Sequence, residues 1–133
     1  MPQLRPEQLP QHLDRELAPL YVLHGDEPLL VIEAADLIRS AARARGVAER
    51  EVVVVTQGFK WQQFSLASGN LSLFGETKLV DLRIPTGKPG RDGGETLQRL
   101  ARELDPHGSV ITLITLPQMD WAARKQAWFL ALV

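Results

Sequence analysis

The chain has 133 residues, enough for one domain with a core of its own. Hydrophobic residues make up 44% and charged residues 23%, and the net charge of −1 lacks the basic excess of a free-standing DNA binder. The absence of cysteine excludes disulfides, thiolate nucleophiles and zinc–thiolate sites, no run approaches the roughly 20 apolar residues of a membrane span, and MPQLRPEQLP has no signal-peptide core, so the expected location is cytoplasmic.

PEQLPQHLDREL (6–17) spaces Leu9, Leu13 and Leu17 four apart, on one face of a short helix, with Pro10 a natural starting point. LYVLHG (20–25) reads as a buried strand ending in glycine. DEP then opens a long helix over roughly 28–45, with Glu33, Asp36, Arg39 and Arg43 on its polar face and Gly46 as its stop. REVVVVTQ (50–57) carries four consecutive valines, the pattern of a strand covered on both faces. KWQQFSLAS (60–68) places Trp61, Phe64 and Ala67 three apart, a short helix. TKLVDLRIP (77–85) is a strand closed by proline, and TGKPGRDGG (86–94) is expected to be a flexible loop. ETLQRLAREL (95–104) has a helical stripe of Leu97, Leu100, Ala101 and Leu104. DPHG (105–108) is a turn and SVITLITLP (109–117) a buried strand. Asp120 is expected to cap the last helix, with Trp121, Ala127, Trp128 and Leu132 among its apolar positions. One helix followed by four strand–helix repeats predicts an α/β fold, a parallel sheet with helices on both faces. The tail AWFLALV stops without cap or polar end, as in a fragment cut near a boundary of a longer protein.

In such folds ligands sit at the carboxyl ends of strands. The first strand leads into LHGDEPLL (23–30), which has one glycine, no lysine and two acids where a phosphate loop needs G-x-x-x-x-G-K-[ST]. Asp26 and Glu27 are expected to cap the helix themselves and repel phosphate, and Pro28 removes a donor. TGKPGRDGG carries Lys88 and Arg91 after a strand, yet Pro89 prevents Lys88 from opening a helix in phosphate-loop fashion. A lone mid-strand acid, Asp81, is out of place for magnesium. His12, His24 and His107 show no ligand spacing, and His24 reads as an ordinary, partly buried histidine. Neither cofactor nor metal is expected.

The remaining signal is GNLSLFGETKLV (69–80), where Leu71, Leu73 and Phe74 crowd a junction that normally carries polar turn residues. Two readings are open on pattern alone. The three side chains fill the core between a helix and a strand. Alternatively they form an external hook, in which an extended backbone points Leu71 and Leu73 the same way and Gly75 lets Phe74 turn in beside them.

Asn70-Leu71-Ser72-Leu73-Phe74 resembles the bacterial sliding-clamp-binding pentapeptide Gln-Leu-Ser/Asp-Leu-Phe, with Asn70 shorter than the usual glutamine by one methylene. PEQLPQHLDRELAPLYVLHGDEPLLVIEA, LSLFGETKLV and AARKQAWFLAL resemble, in order, the N-terminal domain of the delta subunit family of bacterial DNA polymerase III. The resemblance implies an AAA+ and RecA-like domain over 1–133 that lacks a functional phosphate loop, with two further domains and the sheet's last strand after Val133. It implies a non-catalytic subunit of the polymerase holoenzyme that binds the β sliding clamp and promotes ring opening for loading onto DNA during replication. Leu71, Leu73 and Phe74 would enter a pocket on the clamp, flanked by Asn70, Ser72 and Gly75. The implied partners are the clamp, the ATP-binding motor subunits, delta prime, and DNA through the assembled complex. The rival readings are a nucleotide-dependent enzyme on a doubly wound sheet and a generic protein-interaction domain.

Overall fold

The structure, a computed structural model, describes residues 6–47, 49–69, 77–104 and 110–133. Strands β1 (Leu20–Leu23), β2 (Glu49–Val54), β3 (Lys78–Arg83) and β4 (Val110–Thr115) form a parallel sheet in the order β1-β4-β3-β2. Around it stand α1 (Leu9–Arg15), α2 (Pro28–Ala44), α3 (Trp61–Gly69), α4 (Gly90–Arg102) and α5 (Ala127–Leu132), with 3-10 turns at Pro6–Gln8 and Ala123–Lys125.

Alternation along each strand divides the core between the two faces. Tyr21, Leu79, Ile111 and Leu113 meet Leu9 and Leu13 of α1 and Ala35, Ile38 and Ala42 of α2. Leu20, Val80, Leu82 and Ile114 meet Trp61, Phe64, Leu97, Trp128, Phe129 and Leu132 from α3, α4 and α5. Central strands β3 and β4 are apolar on both faces because both faces are covered, as their sequences lead one to expect.

Several expectations need correction. The valine-rich β2 lies at the sheet edge, and Val52 and Val54 are each 43% exposed rather than sandwiched. The reason is geometric: α2 packs over β1 and β4, so that side of β2 has no helix above it among the described residues. The segment 86–94 is not all loop, because α4 starts at Gly90, five residues before the expected helix start at Glu95. Gly93 and Gly94 are buried there, since the helix approaches two tryptophans; a methyl group on Gly93 would lie 2.4 Å from Trp61 Cε2. Asp120 does accept a bond from the Ala123 N–H at 2.7 Å, but this caps the 3-10 turn, not α5. Trp121 is 69% exposed, its ring covered by the Lys125 ammonium 3.2 Å from the centroid, rather than buried along a helix. At the start of α2 the Glu27 side chain makes no capping bond; its backbone carbonyl accepts from Leu30 and Val31, and Pro28 occupies the first turn.

Candidate functional site

The proposed anchors Leu71, Leu73 and Phe74, with Asn70, Ser72 and Gly75, lie outside the described residues. The structure describes the elements that flank that segment in the chain, α3 before it and β3 after it. Trp61 opens α3, stacks against Phe59 with centroids 5.4 Å apart, and meets Phe64 edge-on at 5.8 Å. Its Nε1–H donates to the Pro89 carbonyl at 3.1 Å, tying α3 to the entry of α4. Phe64 is fully buried. On the other side, β3 enters the sheet at buried Lys78, whose Nζ pairs with Glu51 on β2 at 3.5 Å, and continues through Leu79 and Val80. In the chain, residues 70–76 join α3 to the amino-terminal end of β3.

The strand carboxyl ends were the other place to look for chemistry. After β1, His24 rests edge-on against Phe129 with ring centroids 5.2 Å apart. Burial pushes its pKa below the ordinary histidine value, and the nearby Arg124 charge adds to the same direction. That is the partly buried histidine expected of it. His12 instead shares a 2.8 Å bond with the Tyr21 hydroxyl, which accepts from the Ala18 N–H at 2.8 Å. Burial raises the Tyr21 pKa, consistent with a phenol that keeps its proton for this bond. His107 lies outside the described residues.

Asp81 is the residue whose setting sequence reading missed. It is fully buried on β3, and three guanidiniums converge on it: Arg39 Nη1 at 3.0 Å from α2, Arg83 Nη2 at 3.2 Å and Arg50 Nη2 at 3.5 Å. Arg39 also pairs with Asp36 one helical turn away. With its carboxylate so occupied, Asp81 is an electrostatic hub and not a magnesium ligand. Among the described residues no group of three or more His, Cys, Asp or Glu side chains is arranged to hold a metal. An acid inside LVDLR was the available signal, since a charge at an apolar position requires a partner. Thr86 Oγ1 accepts from the Lys88 N–H at 3.2 Å, while Arg91 is almost fully exposed and pairs with Glu95 at 3.7 Å. A cleft of about 480 Å³ between α3 and α4 sets Lys60 and Arg99 against Asp92 and Glu95, so its charges balance within the cleft.

The family model of the DNA polymerase III delta subunit matches residues 21–132. The chain belongs to that family. Delta subunits of DNA polymerase III from Haemophilus influenzae and Escherichia coli are 29% and 32% identical to it, each across 99% of the chain. The chain spans 38% of the length of each of these relatives. Among solved structures, the Bacillus subtilis DNA clamp loader delta protein superposes with a TM-score of 0.71 at 18% identity, over 96% of this chain and 40% of its own. That likeness concerns the fold, and it fits the four-stranded parallel sheet described above. The matched delta-family stretch contains residues 70–76 in full.

Proposed function

We propose that the chain is the N-terminal, clamp-binding domain of a clamp-loader delta subunit. On this reading it is a non-catalytic AAA+ and RecA-like domain that acts in the cytoplasm during replication, beside ATP-binding motor subunits and delta prime. It reaches DNA only through the assembled complex. Leu71, Leu73 and Phe74 anchor it in a hydrophobic pocket of the β sliding clamp, with Asn70, Ser72 and Gly75 shaping the approach. The observation that carries the reading is the family match running through a stretch that spells Leu-Ser-Leu-Phe. The acidic, proline-bearing entry to α2, where a phosphate cradle would stand, supports a role without nucleotide.

The physics of opening is differential binding. A subunit that holds the relaxed ring better than the closed one shifts the ring equilibrium by the difference in those two affinities. Each anchor contributes about 1.5–3 kcal/mol when fully buried in a partner, before association costs. Replacing Leu73 and Phe74 by alanine should therefore weaken clamp binding by about 100-fold or more. The test is a calorimetric titration with the clamp beside a far-ultraviolet circular dichroism spectrum. A native spectrum with binding lost is the expected pair of results. A double variant that unfolds would make these residues core, and a folded one that binds normally would remove them from the interface.

A further inference from the structure

Asp81 is fully buried, and its Oδ2 faces three guanidiniums. A carboxylate oxygen has two lone pairs, and Arg39 Nη1 at 3.0 Å and Arg83 Nη2 at 3.2 Å donate to them. Arg50 stands 3.5 Å from the same oxygen, an ion pair without a hydrogen bond among the described residues. Its N–H groups are therefore uncommitted, while Arg83 binds Asp81 through Nε and Nη2 and leaves Nη1 to spare. Both side chains are about two-fifths exposed, at 44% and 41%, so these donors face water. Arg39 is mostly buried and is held by Asp81 and Asp36.

The charges leave the same pair unbalanced. Three guanidiniums meet two carboxylates, those of Asp81 and Asp36, and one positive charge is left over. Side chains alternate along β2, so Glu49 and Glu51 lie on the other face of the sheet, where Glu51 pairs with Lys78. Val52 and Val54 share the face of Arg50, opposite Asp81 and Arg83 in the strand register, and bring no charge. Their apolar surface beside the two arginines lowers the local dielectric and strengthens the attraction for an anion.

We propose that Arg50 and Arg83 form a binding site for a phosphoryl group, free or esterified. Both guanidiniums reach one oxygen of Asp81, so a single oxyanion on their solvent side can bridge them as well. The donor count selects phosphate over carboxylate. A carboxylate offers two acceptor oxygens and one charge, whereas a phosphoryl group offers at least three oxygens and up to two charges to a pair of forked donors. Asp81 gathers the guanidiniums before the ligand arrives, so little side-chain freedom is lost on binding. Binding here involves no residue of the clamp hook and is independent of the clamp-binding reading above.

The test titrates the chain by calorimetry with inorganic phosphate and with phenyl phosphate, in a phosphate-free buffer of fixed ionic strength. Sodium chloride is the control, and circular dichroism follows folding. The expected result is saturable binding of the phosphoryl probes but not of chloride. Arg50→Gln, which removes no hydrogen bond from the hub, should keep a native spectrum and weaken that binding about tenfold or more. Tighter binding of phenyl phosphate assigns the natural ligand as an ester, its organic group resting on Val52 and Val54; equal or weaker binding assigns free phosphate. A native protein that gives no saturable heat overturns the proposal, as does binding that Arg50→Gln leaves intact. If Arg50→Gln unfolds, Val52→Glu decides: this position is 43% exposed beside the pair, and a carboxylate there would take the outward donors and abolish phosphoryl binding.

Discussion

Gly93→Ala sets two effects of opposite sign against each other in one helix. Gly93 lies inside α4, where alanine is intrinsically better than glycine by about 1 kcal/mol. The added methyl, however, would sit 2.4 and 2.5 Å from Trp61 Cε2 and Cζ2 and 2.7 Å from Pro89 Cβ. Carbon contacts are comfortable near 3.5–4 Å, so the indole must recede by about 1 Å. It has little room, being buried and flanked by Phe59 and Phe64. Overpacking of this kind costs about 1–3 kcal/mol. Losing the Trp61 bond to the Pro89 carbonyl adds about 0.5–1.5 kcal/mol. The net expectation is destabilisation by about 1–3 kcal/mol. Gly94→Ala is the internal control: its methyl would meet Trp128 no closer than 3.6 Å, an ordinary contact, so it should stabilise by up to about 1 kcal/mol. Urea unfolding of both variants, followed by circular dichroism and tryptophan fluorescence, measures the difference. A Gly93→Ala protein as stable as the native one would refute the claim that α4 approaches α3 through that glycine.

Asp81→Asn keeps the shape but removes the charge that Arg39, Arg50 and Arg83 share. The expected loss is about 3 kcal/mol, at the low end for a broken buried pair because Arg50 and Arg83 can turn toward water. Urea unfolding midpoints check it, and a shift worth under about 0.5 kcal/mol would show that the hub contributes little. For His24, burial and then Arg124 hold the folded pKa below the ordinary value near 6.5. The folded state then binds fewer protons than the unfolded one, so stability falls as pH drops below about 6.5, down to the folded pKa. His24→Gln should flatten that part of the stability-against-pH curve, and an unaltered slope would place the titration elsewhere.

Much of the fold is legible from residue patterns. β3 and β4 announce themselves as apolar runs bounded by turn residues, and α2 by its periodicity and its glycine stop. The start of α4 was hidden because glycine and proline usually mark loops, whereas here Gly93 and Gly94 serve tryptophans distant in sequence. The exposure of Val52 and Val54 depends on strand order, which local composition does not carry. Asp81 signalled a buried charge, but its partners come from α2 and β2 and only the folded sheet brings them together. Trp121 shows the converse: its apolar bulk suggested a core position, and Lys125 covers its ring at the surface instead. The reading of Leu71, Leu73 and Phe74 as anchors rests on spacing and side-chain type within a few residues, and those positions lie outside the described residues.

The most direct measurement is competition between the chain and its own segment. The sliding clamp is titrated with the chain by calorimetry, alone and after saturation with a synthetic peptide of residues 69–76. Loss of the binding heat in the presence of peptide is the predicted result, because one pocket cannot hold both copies of Leu71, Leu73 and Phe74. Binding that persists undiminished beside the saturating peptide would contradict the account.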